Sequence, residues 1–332
     1  MRKINGVPFT AHIDLSSLTG GEVIKWDADN GNMAWEDQDS TGYEPATWYG
    51  SRGCFGGGYA TGYTNVIEYI TINTPGNTTD FGDLTVARNG MGAGSNGTRG
   101  VWLGGHDGSV YSDHIDYITF ATTGNATDFG DLYIGRGDNS ACGDGTKVVL
   151  AGGQDTSNIT NIIDYITVAT LGDSTDFGDL TVTRREAGSC SDGTKGLWGG
   201  GRYSPVYNTI DYITFATTGN AIDFGDLSVT RRTASACSDS TRGIWGGGNG
   251  PSNVMDYVTI ATLGNASDFG DLSQARQNAG ACADGTYGVW AGGYVSSRVN
   301  TMDYVTIQTT SNATDFGDLA TSRDTPGGAS GD

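Results

Sequence analysis

Six arginines, Arg88, Arg136, Arg184, Arg231, Arg276 and Arg323, each stand four residues beyond the leucine of a recurring pentapeptide, Asp-Phe-Gly-Asp-Leu. A guanidinium at a repeated place has two chemical uses. It can form planar, bidentate pairs with a repeated carboxylate and so latch one repeat to the next. Alternatively, six together can ring one end of the molecule and accept an acidic protein or an anionic glycan. Between the repeated stretches lie segments that differ in sequence and carry Tyr63, Tyr111, Tyr203, Tyr207, Tyr294 and Arg298. Tyrosine and arginine combine contact area with hydrogen bonding, which suits recognition; the plainer use of the tyrosines is to cover glycine-rich backbone.

Groups suited to catalysis or metal binding are sparse. His106 and His114 flank one loop with Asp107 and Asp113 and could gather a metal ion, although such a glycine-containing loop is more simply solvated. Asp27-Ala28-Asp29-Asn30-Gly31 has part of the spelling of a calcium loop, but its glycine sits one place early and position twelve is Gln38. Gly92 to Gly97 spells G-x-G-x-x-G within an expected hairpin, with no helix to receive a phosphate. Asp-Phe-Gly also occurs in protein kinases, yet their strand lysine and His-Arg-Asp loop are missing, and six copies imply a structural role. No Ser/His/Asp or Cys/His set recurs where a fold would assemble it. The chain is therefore expected to have no catalytic residue, no metal site and no cofactor.

The elements that must carry these residues follow from the repeat. The pentapeptide begins at Asp80, Asp128, Asp176, Asp223, Asp268 and Asp315, spaced by 48, 48, 47, 45 and 47 residues. An acid-Tyr-aliphatic-Thr tetrapeptide starts twelve residues before each copy, at Glu68, Asp116, Asp164, Asp211, Asp256 and Asp303. An apolar pair followed by glycines, as in Leu197-Trp198-Gly199-Gly200-Gly201, is the third marker. In the third full copy the punctuation predicts strand A near Ala187 to Ser191, an Asp192-Gly193 hairpin turn, and strand B through Trp198. Strand C over Thr209 to Ala216, a Gly219-Asn220 turn and strand D over Phe224 to Val229 complete it. Apolar residues on both faces of strand C suit a sheet packed between two neighbours, and no sustained 3.6-residue period predicts a helix.

Four-stranded units of this length, six in number, predict an all-β, six-bladed propeller over residues 46 to 332. The last copy stops at Gly328-Ala329-Ser330-Gly331-Asp332, in strand A, while the first begins at strand B with Cys54-Phe55-Gly56. The two ends are expected to pair and complete one blade, removing two exposed edges. The five cysteines form no closed disulfide framework; Cys142, Cys190, Cys237 and Cys282 recur at one place in successive repeats and read as small buried hydrophobes. The order Cys190, Trp198, Gly200-Gly201, Tyr212, Phe224 resembles kelch repeats, with Phe where those usually carry Trp; the resemblance implies fold and says little of activity.

Residues 1 to about 45 lack the repeat and carry eight acidic against three basic residues. The run Leu15 to Asp27, then Gly31 and Trp35, resembles a short β module of tail-fibre and other appendage proteins of tailed phages. There, a strand ending in an aromatic-acid pair turns through Gly and pairs with a strand bearing Trp. The pentapeptide repeat is similar to repeats in structural proteins of marine and cyanobacterial phages. The resemblance implies a non-enzymatic virion protein, a tail-fibre, baseplate or appendage component assembled in the host cytoplasm. It would dock on other virion proteins through Ile24, Trp26 and Trp35 and present the propeller to a host-surface glycan or protein. Two alternatives stand beside it: a capsid decoration or neck protein, and a carbohydrate-binding propeller or glycan hydrolase. The aspartate-box pattern of six-bladed sialidases is not met by Ser191-Asp192-Gly193-Thr194. A net charge of −20 argues against nucleic acid as partner, and the absence of 18 successive apolar residues argues against membrane insertion. With no apolar run and cleavage site near Met1, the chain reads as soluble and unprocessed.

Overall fold

The computed structural model describes residues 49–332 throughout and, before them, the backbone of four strands, Lys3–Ile4, Val7–Pro8, Glu22–Asp27 and Asn32–Asp37. The chain divides into two compact units, Met1–Pro45 and Ala46–Asp332. In the first, two antiparallel ribbons form; Ile24 is the register partner of Trp35, and Trp26 of Met33. Most of the calcium-like loop, Ala28 to Gly31 with Gln38, lies outside the described residues, as do the side chains of Ile24, Trp26 and Trp35.

The second unit is a six-bladed β-propeller. Six antiparallel four-stranded sheets each run A-B-C-D in spatial order, and the described residues contain no helix. Blade 4 comprises Gly188–Ser191, Lys195–Gly199, Thr209–Thr214 and Ile222–Asp226. Blade 1 joins the two ends of the unit: its strand A is Gly327–Gly331 and its strands B to D are Arg52–Gly56, Val66–Thr71 and Thr79–Asp83. Gly328 pairs with Phe55 and Ala329 with Cys54. The junction is tied further by Asp332, whose Oδ1 accepts the Ser51 N–H and hydroxyl at 2.6 Å each.

The core is six wedges, each shared by two neighbouring blades. Between blades 4 and 5, for example, Cys190, Leu197, Ile210 and Phe224 meet Trp245, Val258 and Ile260. In every blade the Tyr of strand C meets the Phe of strand D edge-on, with ring centroids 5.7 to 6.0 Å apart. Four blades carry a strand-B Trp whose indole N–H donates to a main-chain oxygen at the start of the preceding blade's strand A: Gly327, Ser140, Gly188 and Ser235. The cysteines explain a pairing of large with small. The Sγ atoms of Cys142, Cys190, Cys237 and Cys282 occupy the space a side chain would need at Gly196, Gly243, Gly288 and Gly53 of the following blade. Where strand B instead carries Val148, the preceding blade has Gly94 at the cysteine's place, and a Cβ there would collide with the valine. Volume is thus kept across these five interfaces, as close packing requires.

The pentapeptide belongs to the outer edge. Strand D would expose unpaired main-chain groups, but the C–D turn of the next blade lies on it. Gly219 N–H donates to Phe177 O, Ala221 N–H to Asp179 O, and Asn220 Oδ1 accepts from the Asp179 N–H. Gly178, at φ +149°, lies beneath the Gly219 carbonyl, which leaves no room for a Cβ. The two contacts at the strand-D aspartate recur at the other junctions and make a belt that covers the edges on which sheets otherwise associate.

Two local expectations are corrected. The A–B turn is centred on Gly193-Thr194 and not on Asp192-Gly193: Asp192 N–H donates to Lys195 O, and its carboxylate accepts the N–H groups of Thr194 and Lys195. Strand D ends at Asp226, short of Val229, because Leu227 N–H turns back to Asn208 O and Ser228 is captured by Asp256 of blade 5.

All five cysteines are free and buried, and burial pushes their thiol pKa values up. A disulfide reagent at neutral pH is therefore expected to leave the native protein unlabelled over the time in which all five thiols react in guanidinium. Rapid native labelling of any one would contradict this packing.

Candidate functional site

The six repeated arginines are interior. Their side chains are at most 2 % exposed, and each pairs with the acid of the next blade's tetrapeptide: Arg88 with Asp116 at 2.8 Å, Arg136 with Asp164 at 2.6 Å, Arg184 with Asp211 at 2.9 Å, Arg231 with Asp256 at 2.5 Å, Arg276 with Asp303 at 2.9 Å. The ring closes with Arg323 and Glu68 at 3.5 Å. The expectation that these arginines form a binding face is corrected, since a fully buried guanidinium cannot reach a partner; they are blade-to-blade latches. Asp116, Asp211, Asp256 and Asp303 also gather the segment leading to the arginine: Asp211, for example, accepts the Thr181 N–H at 3.1 Å and hydroxyl at 2.6 Å. Where that hydroxyl is missing, at Tyr133 and Ala320, one appears instead on Ser174 and Thr78, and accepts the N–H of Tyr133 and Ala320 at 3.0 Å.

The D–A connections and the B–C loops do emerge on one face. They are joined by short main-chain bridges, Asn89 to His106, Gly137 to Gln154, Arg185 to Arg202, Gln277 to Tyr294 and Tyr59 to Asp324. Of the loop residues singled out, Tyr63, Tyr111 and Arg298 lie in one aromatic arc. Tyr63 packs edge-on against Tyr59 and sets its hydroxyl 3.2 Å from His106 Nδ1, while Tyr111 packs edge-on against that imidazole with ring centroids 4.9 Å apart. Arg298 lies 4.3 Å over the Tyr59 ring, with Nε 3.2 Å from Asp324 Oδ1. Tyr203 is well exposed and Tyr207 and Tyr294 are half-buried.

Two residues beyond each latch arginine the backbone takes positive φ, between 54 and 64°, at Gly90, Asp138, Glu186, Thr233, Asn278 and Thr325. For a Glu or a β-branched Thr this conformation costs roughly 1–3 kcal/mol. A chain of main-chain hydrogen bonds holds it, in which the N–H of Asp138, Glu186, Thr233, Asn278 and Thr325 each donates to the equivalent carbonyl of the preceding blade. These residues form the mouth of the central channel. Charges concentrate at one side of it. Glu186 receives Arg202 at 3.0 Å, Arg232 at 2.8 Å and Arg185 at 3.5 Å, and Arg185 also meets Asp138 at 2.9 Å and bonds Gln154. Burial, reinforced by Glu186, raises the pKa of Asp138 against the pull of Arg185 and Arg202; burial likewise raises that of Asp324 against Arg298. Between the two sides lies a cavity of about 240 Å³.

Comparison with known proteins adds nothing to this geometry: no protein-family model matches the chain, and no curated protein matches it.

Sequence reasoning missed the D–A side of the mouth, namely Asp138, Arg185, Glu186, Arg232 and Asp324. The available signal was the contrast with the latch. The two positions after the invariant arginine read Asn-Gly, Gly-Asp, Arg-Glu, Arg-Thr, Gln-Asn and Asp-Thr in successive repeats. Side chains that vary beside a fixed frame residue mark a surface freed from packing. The histidine cluster is rearranged: Asp113 and His114 come together with Asp131, their ligand atoms within 4.8 Å of one another and all three exposed, while Asp107 is used by the N–H groups of Ser109 and Val110.

Proposed function

We propose that the protein is a non-enzymatic structural component of a tailed-phage virion, a tail-fibre, baseplate or appendage protein. Residues 1 to 45 dock it on the particle, and the kelch-like propeller is held out as a recognition module for a host-surface molecule or a neighbouring protein. The observation that carries the recognition half is the contrast between the blades' common interior and their divergent mouth. Buried latches, belt and Tyr-Phe pairs recur from blade to blade, whereas the residues around the channel mouth differ in every blade, and loops on a rigid frame are where recognition is placed. The docking half rests on the likeness of the Leu15 to Trp35 run to phage appendage modules and on the division of the chain at Pro45.

The test is a chain beginning at Ala46. It is expected to purify as a folded propeller, with the unfolding transition of the full chain, and to be missing from particles assembled in its presence. Incorporation at the level of the full chain would reject docking through residues 1 to 45.

A further inference from the structure

The chemistry of the channel mouth specifies a ligand more closely than the fold does. The walls of the cavity are almost wholly polar: three carboxylates, two guanidiniums, amides and hydroxyls, with the Tyr59 ring as the one aromatic surface. An apolar ligand would desolvate these groups without replacing their hydrogen bonds, so a lipid tail or an aliphatic side chain does not suit it. An anion does not suit it either. Of the charged residues lining the space, Asp138, Glu186 and Asp324 outnumber Arg232 and Arg298, and both arginines are already neutralised, by Glu186 at 2.8 Å and Asp324 at 3.2 Å. These carboxylates are committed to guanidiniums, which a metal ion would have to displace.

What remains is an uncharged molecule with many hydroxyls. Each Arg–carboxylate pair presents a donor and an acceptor side by side in a fixed plane, the arrangement that meets two adjacent hydroxyl groups. The groups are held in advance: Arg298 is clamped between the Tyr59 ring and Asp324, Asp138 by Arg185, and Glu186 by three guanidiniums, so little side-chain freedom is lost on binding. About 240 Å³ is below the roughly 300–1,000 Å³ of pockets for drug-sized ligands, and so suits one ring better than an oligosaccharide. We propose that the mouth of the propeller channel binds the terminal, uncharged pyranose of a glycan, through the Arg298–Asp324 pair on one side and Asp138 with Arg232 and Glu186 on the other. This deepens the recognition role proposed above and rests on it.

The full chain should be titrated with neutral hexoses and N-acetylhexosamines, and with uronic and sialic acids, by ligand-observed NMR. At least one neutral sugar is expected to bind. Arg298→Ala and Asp138→Asn are each expected to weaken it about tenfold or more, with Leu263→Ala, exposed in the C–D turn of blade 5 and outside the cavity, leaving it unchanged. Circular dichroism confirms that each variant is folded. Binding of acidic sugars alone, neutral binding insensitive to both variants, or no binding at all overturns the proposal. A parallel measurement of full-chain attachment to host cells separates the two readings. Attachment without sugar binding sinks only the ligand assignment, and loss of both sinks the recognition role as well.

Discussion

Replacing Asp211 with alanine will lower the stability of the propeller by about 3–5 kcal/mol, the loss typical when one partner of a buried ion pair is removed. Arg184 would be left fully buried with its charge uncompensated, since its remaining contacts are main-chain oxygens of Trp198, Gly200 and Thr209. Burial already pulls the pKa of Arg184 down and Asp211 is the main influence holding it up, so removing the carboxylate removes the group that makes the charge tolerable. The Thr181 N–H and hydroxyl lose their acceptor in the same step. Urea unfolding followed by tryptophan fluorescence measures the loss. A double replacement, Arg184→Met with Asp211→Leu, is expected to recover only the share due to the uncompensated charge, because the main-chain oxygens that Arg184 serves and the Thr181 N–H and hydroxyl still lose their partners. A single variant within about 1 kcal/mol of the parent would show that the latch is not structural.

A chain ending at Pro326 will fail to give a soluble folded propeller. The missing strand completes blade 1, and its loss strips the partner from Arg52–Gly56, uncovers Cys54, and removes the carbonyl to which the Trp102 indole donates. Both interfaces that flank blade 1 are weakened together, as Ser330 also bonds Ser95 and Ala283 on either side. The expected loss exceeds about 5 kcal/mol, which is most of what a domain of ordinary stability possesses. The newly bared edge favours association of chains. Gel filtration and a thermal melt decide the matter: a monomer with an undiminished cooperative transition would mean that closure contributes little.

Much of this architecture could be read from residues alone, because a repeat multiplies every local signal by six. Turn residues marked off the strands between them, and the complementary chain ends indicated where the ring is joined. The role of the repeated arginines could not be decided the same way. Spacing showed that each stood between two blades, but whether it turned into the frame or out to solvent depended on the acid of the tetrapeptide lying within reach. That acid is 28 residues further along for Arg88 and, at the ring's closure, 255 residues earlier for Arg323.

The channel mouth marks the other limit. Asp138, Glu186 and Asp324 look in sequence like ordinary polar residues after an arginine, with no motif and no common spacing to a partner. They become a site only because six positions separated by 45 to 48 residues converge at the end of a channel. Local sequence determined the blades, since strand, turn and edge are short-range choices of backbone conformation. The tertiary structure alone decided which charges are buried in pairs and which face the cavity, because pairing and exposure depend on distances that exist only after the ring has closed.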